Sequence, residues 1–180
     1  AWFLFRMLIT SDSVSKQKHK NHAVGYLVKG CSDMQLSGAL QTFKNKVKDF
    51  YRPLVLKSIY RAVQNGSTVL IVTASPSFAV RVCMSDLPVL VIGTEFQKEK
   101  NNYTGRLKGE NCYGKEKVNR LDTWALTNNI ELNVESAWGD HFSDFSMLCL
   151  SENRYWIGGE SLRKKGMDHG PKATFLRAED

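Results

Sequence analysis

The sequence predicts an α/β protein: an open, Rossmann-like parallel sheet with helices on both faces and a small helical cap. Three observations lead there. Residues 67–72 (STVLIV) and 89–92 (VLVI) are short continuous apolar runs rich in β-branched residues, the character of strands buried on both faces of a parallel sheet. Segments with helical spacing alternate with them. The chain has 180 residues, 42% hydrophobic and 24% charged, which suits one domain with a full core and a small insert.

Taken in order, the opening residues 1–9 (AWFLFRMLI) are apolar but too short to span a bilayer. They also lack the basic leader and cleavage site of a secretory signal, so a buried or interfacial element is expected and no transmembrane segment. From Ser15 to about Lys48, Ala23, Val24, Leu27 and Val28, then Leu36, Leu40, Phe43 and Val47, recur at helical spacing with a break near Lys29-Gly30. Pro53 can open a further helix carrying Leu54, Leu56, Ile59, Tyr60 and Val63, which Asn65-Gly66 would close.

The 67–72 strand follows, and the helical pattern resumes from Pro76 with Phe78, Ala79, Val82 and Cys83. After the 89–92 strand, Glu95 to Leu107, with Asn101-Asn102 midway and Gly105 nearby, reads as a hairpin. A helix is expected from about Lys115 to Thr127, then a strand ending in Ala137-Trp138, a helix through Met147, Leu148 and Leu150, and a strand at Arg154 to Ile157. Trp156 reads as packing, and the polar tail to Asp180 carries no assigned chemistry.

A net charge of +7 and a pI near 9.3 favour anionic partners, whether phosphorylated metabolites, acidic headgroups or nucleic acid. Lys16, Lys18, His19 and Lys20, then Lys44, Lys46 and Lys48, read as solvated helix faces. No aromatic ladder accompanies them, so no nucleic-acid partner is expected. Cys31, Cys83, Cys112 and Cys149 are scattered, with neither a Cys-x-x-Cys pair nor histidines at zinc-finger spacing. They read as reduced thiols, and a cytoplasmic location follows as the expectation.

Open α/β sheets bind ligands at the carboxyl ends of their strands. Past the first strand, Thr73 and Ser75 supply hydroxyls at a strand-to-helix junction, where free N–H groups favour an anion; one of them could equally cap the helix. Past the third, Gly139 lets the backbone turn, and Asp140 and Asp144 can reach one point as hard oxygen ligands suited to magnesium. Lys117 lies near the start of its helix, where only a phosphate or a carboxylate would draw it inward.

The segments Val-Thr-Ala-Ser-Pro (72–76), Tyr-Thr-Gly-Arg-Leu (103–107), Asn-Cys-Tyr-Gly-Lys-Glu-Lys-Val (111–118) and Gly-Asp-His-Phe-Ser-Asp (139–144) come in an order that resembles the haloacid dehalogenase superfamily, in its phosphoserine-phosphatase-like branch. The resemblance covers roughly residues 15–150. It implies that Thr73 and Lys117 hold the transferring phosphoryl group, with Lys115 the alternative lysine. It also implies that Ser75 and Gly139 line the substrate site, that Asp140 is a Mg2+ ligand and that Asp144 completes or supports that metal site. Residues 1–50 then correspond to an incomplete helical cap and 51–180 to an α/β core without its first strand.

By the same resemblance the chemistry is phosphomonoester hydrolysis through an aspartyl-phosphate, on a small phosphorylated substrate or headgroup. The family's Asp-x-Asp pair is not found. Either residues 1–14 are the remains of a cap helix and the nucleophile lies outside these residues, or residues 3–13 are a degenerate first motif with Phe3 and Phe5 in place of the aspartates. The first is preferred. A catalytically inactive relative that binds a phosphorylated ligand is the second functional expectation, and a basic nucleic-acid-binding domain the third.

Overall fold

The structure is a computed structural model, and it describes residues 13–169 and 172–177. The expectations placed on residues 1–12, the apolar opening element and the two accounts of the first motif, lie outside the described residues. The chain folds as two compact units: residues 1–49, 73–87 and 93–111 form the first, and residues 50–72, 88–92 and 112–180 the second.

In the first unit, α1 (Ser13–Val28) and α2 (Asp33–Lys48) are the two helices that the apolar spacing requires, separated at Gly30, whose φ of 82° ends the first. Ser32 starts the second with a reciprocal cap: its Oγ accepts from Gln35 N, and Ser32 N donates to Gln35 Oε1 at 2.8 Å. Strands β3 (Phe96–Glu99) and β4 (Asn102–Leu107) form the expected antiparallel hairpin, with Lys100 and Asn101 at positive φ in its turn. Val28, Phe96 and Tyr103 form the core, and Val24, Leu36, Phe78 and Leu107 pack around it.

The hairpin is also stitched to the α1–α2 turn. Gly30 N donates to Tyr103 O at 2.8 Å, Tyr103 N to Cys31 O at 2.9 Å, and the Tyr103 hydroxyl to Asp33 Oδ1 at 2.7 Å. Lys98 completes this contact by pairing with Asp33, whose carboxyl is lowered first by that lysine and then by Tyr103.

Two of the lysines expected on a solvated face turn inward. Lys44 on α2 is buried and donates to Asp86 and to Ser85 Oγ, while Lys48 pairs with the other oxygen of Asp86. Lys20 on α1 is half-buried and donates to Ala74 O at 2.9 Å. Spacing alone could not show this, because the acceptors lie more than 40 residues away along the chain.

In the second unit, α3 (Pro53–Gln64) opens on Pro53 as expected and buries Ile59. The parallel pairing expected of the fold class is seen in β5 (Val134–Gly139), β6 (Ser151–Ile157) and β7 (Thr174–Leu176), in the order β5-β6-β7. Ala137, Leu148 and Trp156 are its core, so Trp156 is packing as expected. The helix expected through Leu150 is shorter: a 3-10 turn (Phe142–Asp144) leads into α6 (Phe145–Leu148). The tail contributes α7 (Glu160–His169) and β7, which polarity had hidden. Helix α5 (Glu116–Thr127) buries Lys117, Leu121 and Ala125.

Strand β1 (Leu70–Pro76) pairs with β2 (Leu90–Thr94), and the chain passes between the units within each of them. Every residue of β1 is half-buried rather than buried. It starts three residues later than its apolar run and carries through Thr73 and Ser75, so both lie within the strand. The short α4 (Ser77–Cys83) begins after Pro76, and neither hydroxyl caps it. Among the described residues no helix is long and apolar enough to cross a membrane.

Two measurements check this packing. A Cβ on Gly25 would stand 2.1 Å from Gly105 O, whereas one on Gly38 meets nothing within 4 Å. Urea unfolding should show Gly25→Ala destabilised by roughly 1–3 kcal/mol and Gly38→Ala stabilised by up to about 1 kcal/mol. Separately, Lys44 and then Lys48 hold the Asp86 carboxyl down to about 2 from its ordinary 3.8. A folded value below the unfolded one gives stability that is full above the ordinary value and disappears as pH falls through the folded value. The thermal-midpoint gap between the parent and Asp86→Asn should therefore be present at neutral pH and close as pH approaches 2.

Candidate active site

The end of β5 and the start of α5 bring four of the predicted site residues together within the second unit. Lys117 and Asp144 are both buried, and Lys117 Nζ lies 2.5 Å from Asp144 Oδ1. Lys117 also donates to Val72 O at 3.1 Å. Two of the three N–H donors of its ammonium are thus used, and the third has no acceptor among the described residues. What draws this lysine inward is a carboxylate, one of the two targets that sequence reasoning named.

Asp144 is equally occupied. Its Oδ2 accepts from Asp140 N and from His141 N, both at 3.3 Å. One oxygen therefore neutralises a buried cation and the other fixes the turn after β5. Asp140 then leaves the strand with an exposed side chain. Gly139 is needed for a different reason from the expected one. Its φ is not positive, so freedom to turn is not what it supplies. A Cβ there would stand 2.8 Å from Asp144 Cβ and 3.3 Å from Trp156 Cζ3, so only glycine lets the Asp144 side chain fold back against the strand.

The magnesium expectation can be tested against this donor set. Asp140 offers one outward hard carboxylate, while both Asp144 oxygens are committed to protein donors. Among the described residues no group of three or more His, Cys, Asp or Glu side chains could hold a metal ion. The described residues alone therefore do not make a magnesium centre. Asp144 acts here as the partner of Lys117 and a support for Asp140.

Thr73 and Ser75 belong to the first unit. Thr73 Oγ1 accepts from Ser75 N at 3.1 Å, which occupies a lone pair and leaves the hydroxyl proton available to donate. The peptide between them is held from two sides: Ala74 O accepts from Lys20 Nζ at 2.9 Å and from Thr94 Oγ1 at 3.1 Å. Thr94 is fully buried and also lies 2.7 Å from Asn111 Oδ1. Lys115, the alternative lysine, is exposed at the N-cap of α5, where it makes no side-chain cap.

Sequence reasoning missed His141 and Tyr113, whose rings lie 6.2 Å apart at 49°. They join the segment just before α5 to the segment just after β5. The available signal was their place inside the quoted segments 111–118 and 139–144.

A family model described as haloacid dehalogenase-like hydrolase matches residues 3–148. The chain belongs to the haloacid dehalogenase-like hydrolase family. Its curated relatives include Protein CicA of Caulobacter vibrioides, in strains NA1000 / CB15N and ATCC 19089 / CIP 103742 / CB 15. Each is 28% identical over 147 residues, covering 78% of this chain and 63% of the relative. The chain thus spans less than two thirds of their length.

Solved structures share the fold. A protein of unknown function from Bordetella pertussis Tohama I superposes with a TM-score of 0.73 at 20% identity, covering 87% of this chain and 73% of that one. A probable phosphoserine phosphatase from Vibrio cholerae gives 0.61 at 16% identity, covering 91% and 47%. A substrate-bound phosphoserine phosphatase gives 0.56 at 17% identity, covering 91% and 72%.

The buried pair is the site's most testable element. Removing either partner leaves an unpaired buried charge, at a cost of roughly 3–5 kcal/mol. Chemical denaturation should show Lys117→Met and Asp144→Leu each destabilised by about that much, and the double variant less so than the sum of the two.

Proposed function

We propose that this family member hydrolyses a small phosphomonoester or a phosphorylated headgroup. The observation that carries the reading is the buried Lys117–Asp144 pair at the root of the turn that presents Asp140, with one ammonium N–H that has no acceptor among the described residues. A lysine neutralised once by Asp144 and still holding a donor is suited to a phosphoryl oxygen, the charge of which it would offset. Thr73, whose hydroxyl proton is available to donate, and Ser75 are given their roles toward a phosphoryl group by the family resemblance of residues 72–76 alone. Gly139 permits the close packing behind Asp140. The family match and the phosphoserine phosphatases among the structural neighbours agree with a phosphorylated substrate.

The proposal includes an aspartyl-phosphate, its attacking carboxylate lying outside the described residues, and magnesium dependence with Asp140 as one oxygen ligand. When bound, the ion would neutralise phosphoryl oxygens. It further assigns residues 1–50 to a cap and 51–180 to the core, and it names no nucleic-acid partner. A second reading, an inactive relative that binds a phosphorylated ligand without cleaving it, is favoured by the commitment of both Asp144 oxygens to protein donors.

Phosphate release from p-nitrophenyl phosphate separates the two. Hydrolysis should require added magnesium, stop with a chelator, and fall by at least about 10–100-fold in Asp140→Ala. Turnover that survives that substitution removes Asp140 from its role. Ligand binding without any release supports the inactive relative.

A further inference from the structure

His141 caps the 3-10 turn after β5 through its side chain. Its Nδ1 accepts from Ser143 N at 3.1 Å, and Ser143 Oγ lies 2.9 Å from the same atom. A main-chain N–H can point at that nitrogen only if it carries a lone pair, so Nδ1 bears no proton and the ring proton sits on Nε2. On its other contact the ring meets Tyr113, 6.2 Å away on the loop that leads into Lys117. The imidazole is exposed, with its Nδ1 held by Ser143 and its ring against Tyr113.

Capping alone does not require a histidine. Serine, threonine, asparagine or aspartate cap more commonly, and an aspartate would add a second negative charge beside Asp140. Asparagine would also leave amide N–H donors, whereas histidine satisfies the cap with one nitrogen and carries its remaining N–H on the far side of a rigid ring. That donor follows directly after Asp140, on the turn whose N–H groups Asp144 holds.

We propose that His141 is a substrate-binding residue whose Nε2–H donates to a phosphoryl oxygen of the bound phosphomonoester, with Ser143 and Tyr113 as its positioning residues. The assignment rests on the phosphomonoester reading above. It adds an imidazole N–H to the ammonium of Lys117, and it predicts that the site prefers groups with several anionic oxygens.

The test uses inorganic phosphate and the full chain, read by isothermal titration calorimetry and by long-range 1H–15N spectra of the imidazoles. The spectra should show His141 in the Nε2–H tautomer, with its signals moving as phosphate is added. His141→Phe keeps a ring against Tyr113 but has no donor, and should weaken phosphate binding about tenfold. His141→Gln restores a donor and should recover most of that loss. If the parent binds phosphate and His141→Phe binds it equally well, with the imidazole signals unmoved, the assignment of His141 fails and the phosphomonoester reading stands. If the parent binds no phosphate, both fail.

Discussion

An ammonium and a carboxylate, taken out of water together, hold the second unit's site in one arrangement. Lys117 and Asp144 are buried as a pair, and taking either one out of water without the other would cost several kcal/mol or more. Paired, they tie the first turn of α5 to the segment after β5. The remaining oxygen of Asp144 collects the main-chain donors of Asp140 and His141, so the pair fixes main-chain direction as well as charge. Gly139 is the steric counterpart of this electrostatics, since any side chain there would displace Asp144.

The first unit is organised on the same plan around a different carboxylate. Asp33, in the first turn of α2, receives the Tyr103 hydroxyl and the Lys98 ammonium from the two strands of the hairpin. Burial, and then the Asp33 hydrogen bond, raise the Tyr103 hydroxyl well above its ordinary value, so it remains a donor. In both units an acidic residue near a helix or turn start gathers donors from a neighbouring element. Local backbone geometry and long-range contact are thereby specified by one side chain.

Elements were legible in the sequence wherever one physical signal dominated. Pro53, Asn65-Gly66, the Asn101-Asn102 turn and the break at Lys29-Gly30 each act within a few residues, and each marks a boundary that the structure keeps. Lys117, Gly139, Asp140 and Asp144 were legible because their order along the chain has a family likeness. What the sequence could not show is which donors meet which acceptors across long separations. Lys20 and Lys44 looked like solvent-facing charges until Ala74 O and Asp86 supplied their partners. The tail was missed because a three-residue strand, Thr174–Leu176, depends for its existence on β6 beside it. His141 was passed over because a histidine among carboxylates carries no period, and its value depends on which ring nitrogen the cap consumes.

The interleaving of the two units along the chain limits how this protein can be taken apart. The polypeptide crosses from one unit to the other at 49–50, 72–73, 87–88, 92–93 and 111–112. Two of these crossings fall inside strands β1 and β2 rather than in loops. Neither unit is one uninterrupted stretch of chain, and a cut at either strand crossing would fall inside the paired strands β1 and β2. Recombination that swaps one unit between relatives would have to exchange several segments at once. Variation is therefore expected to accumulate by substitution within the units rather than by exchange of modules.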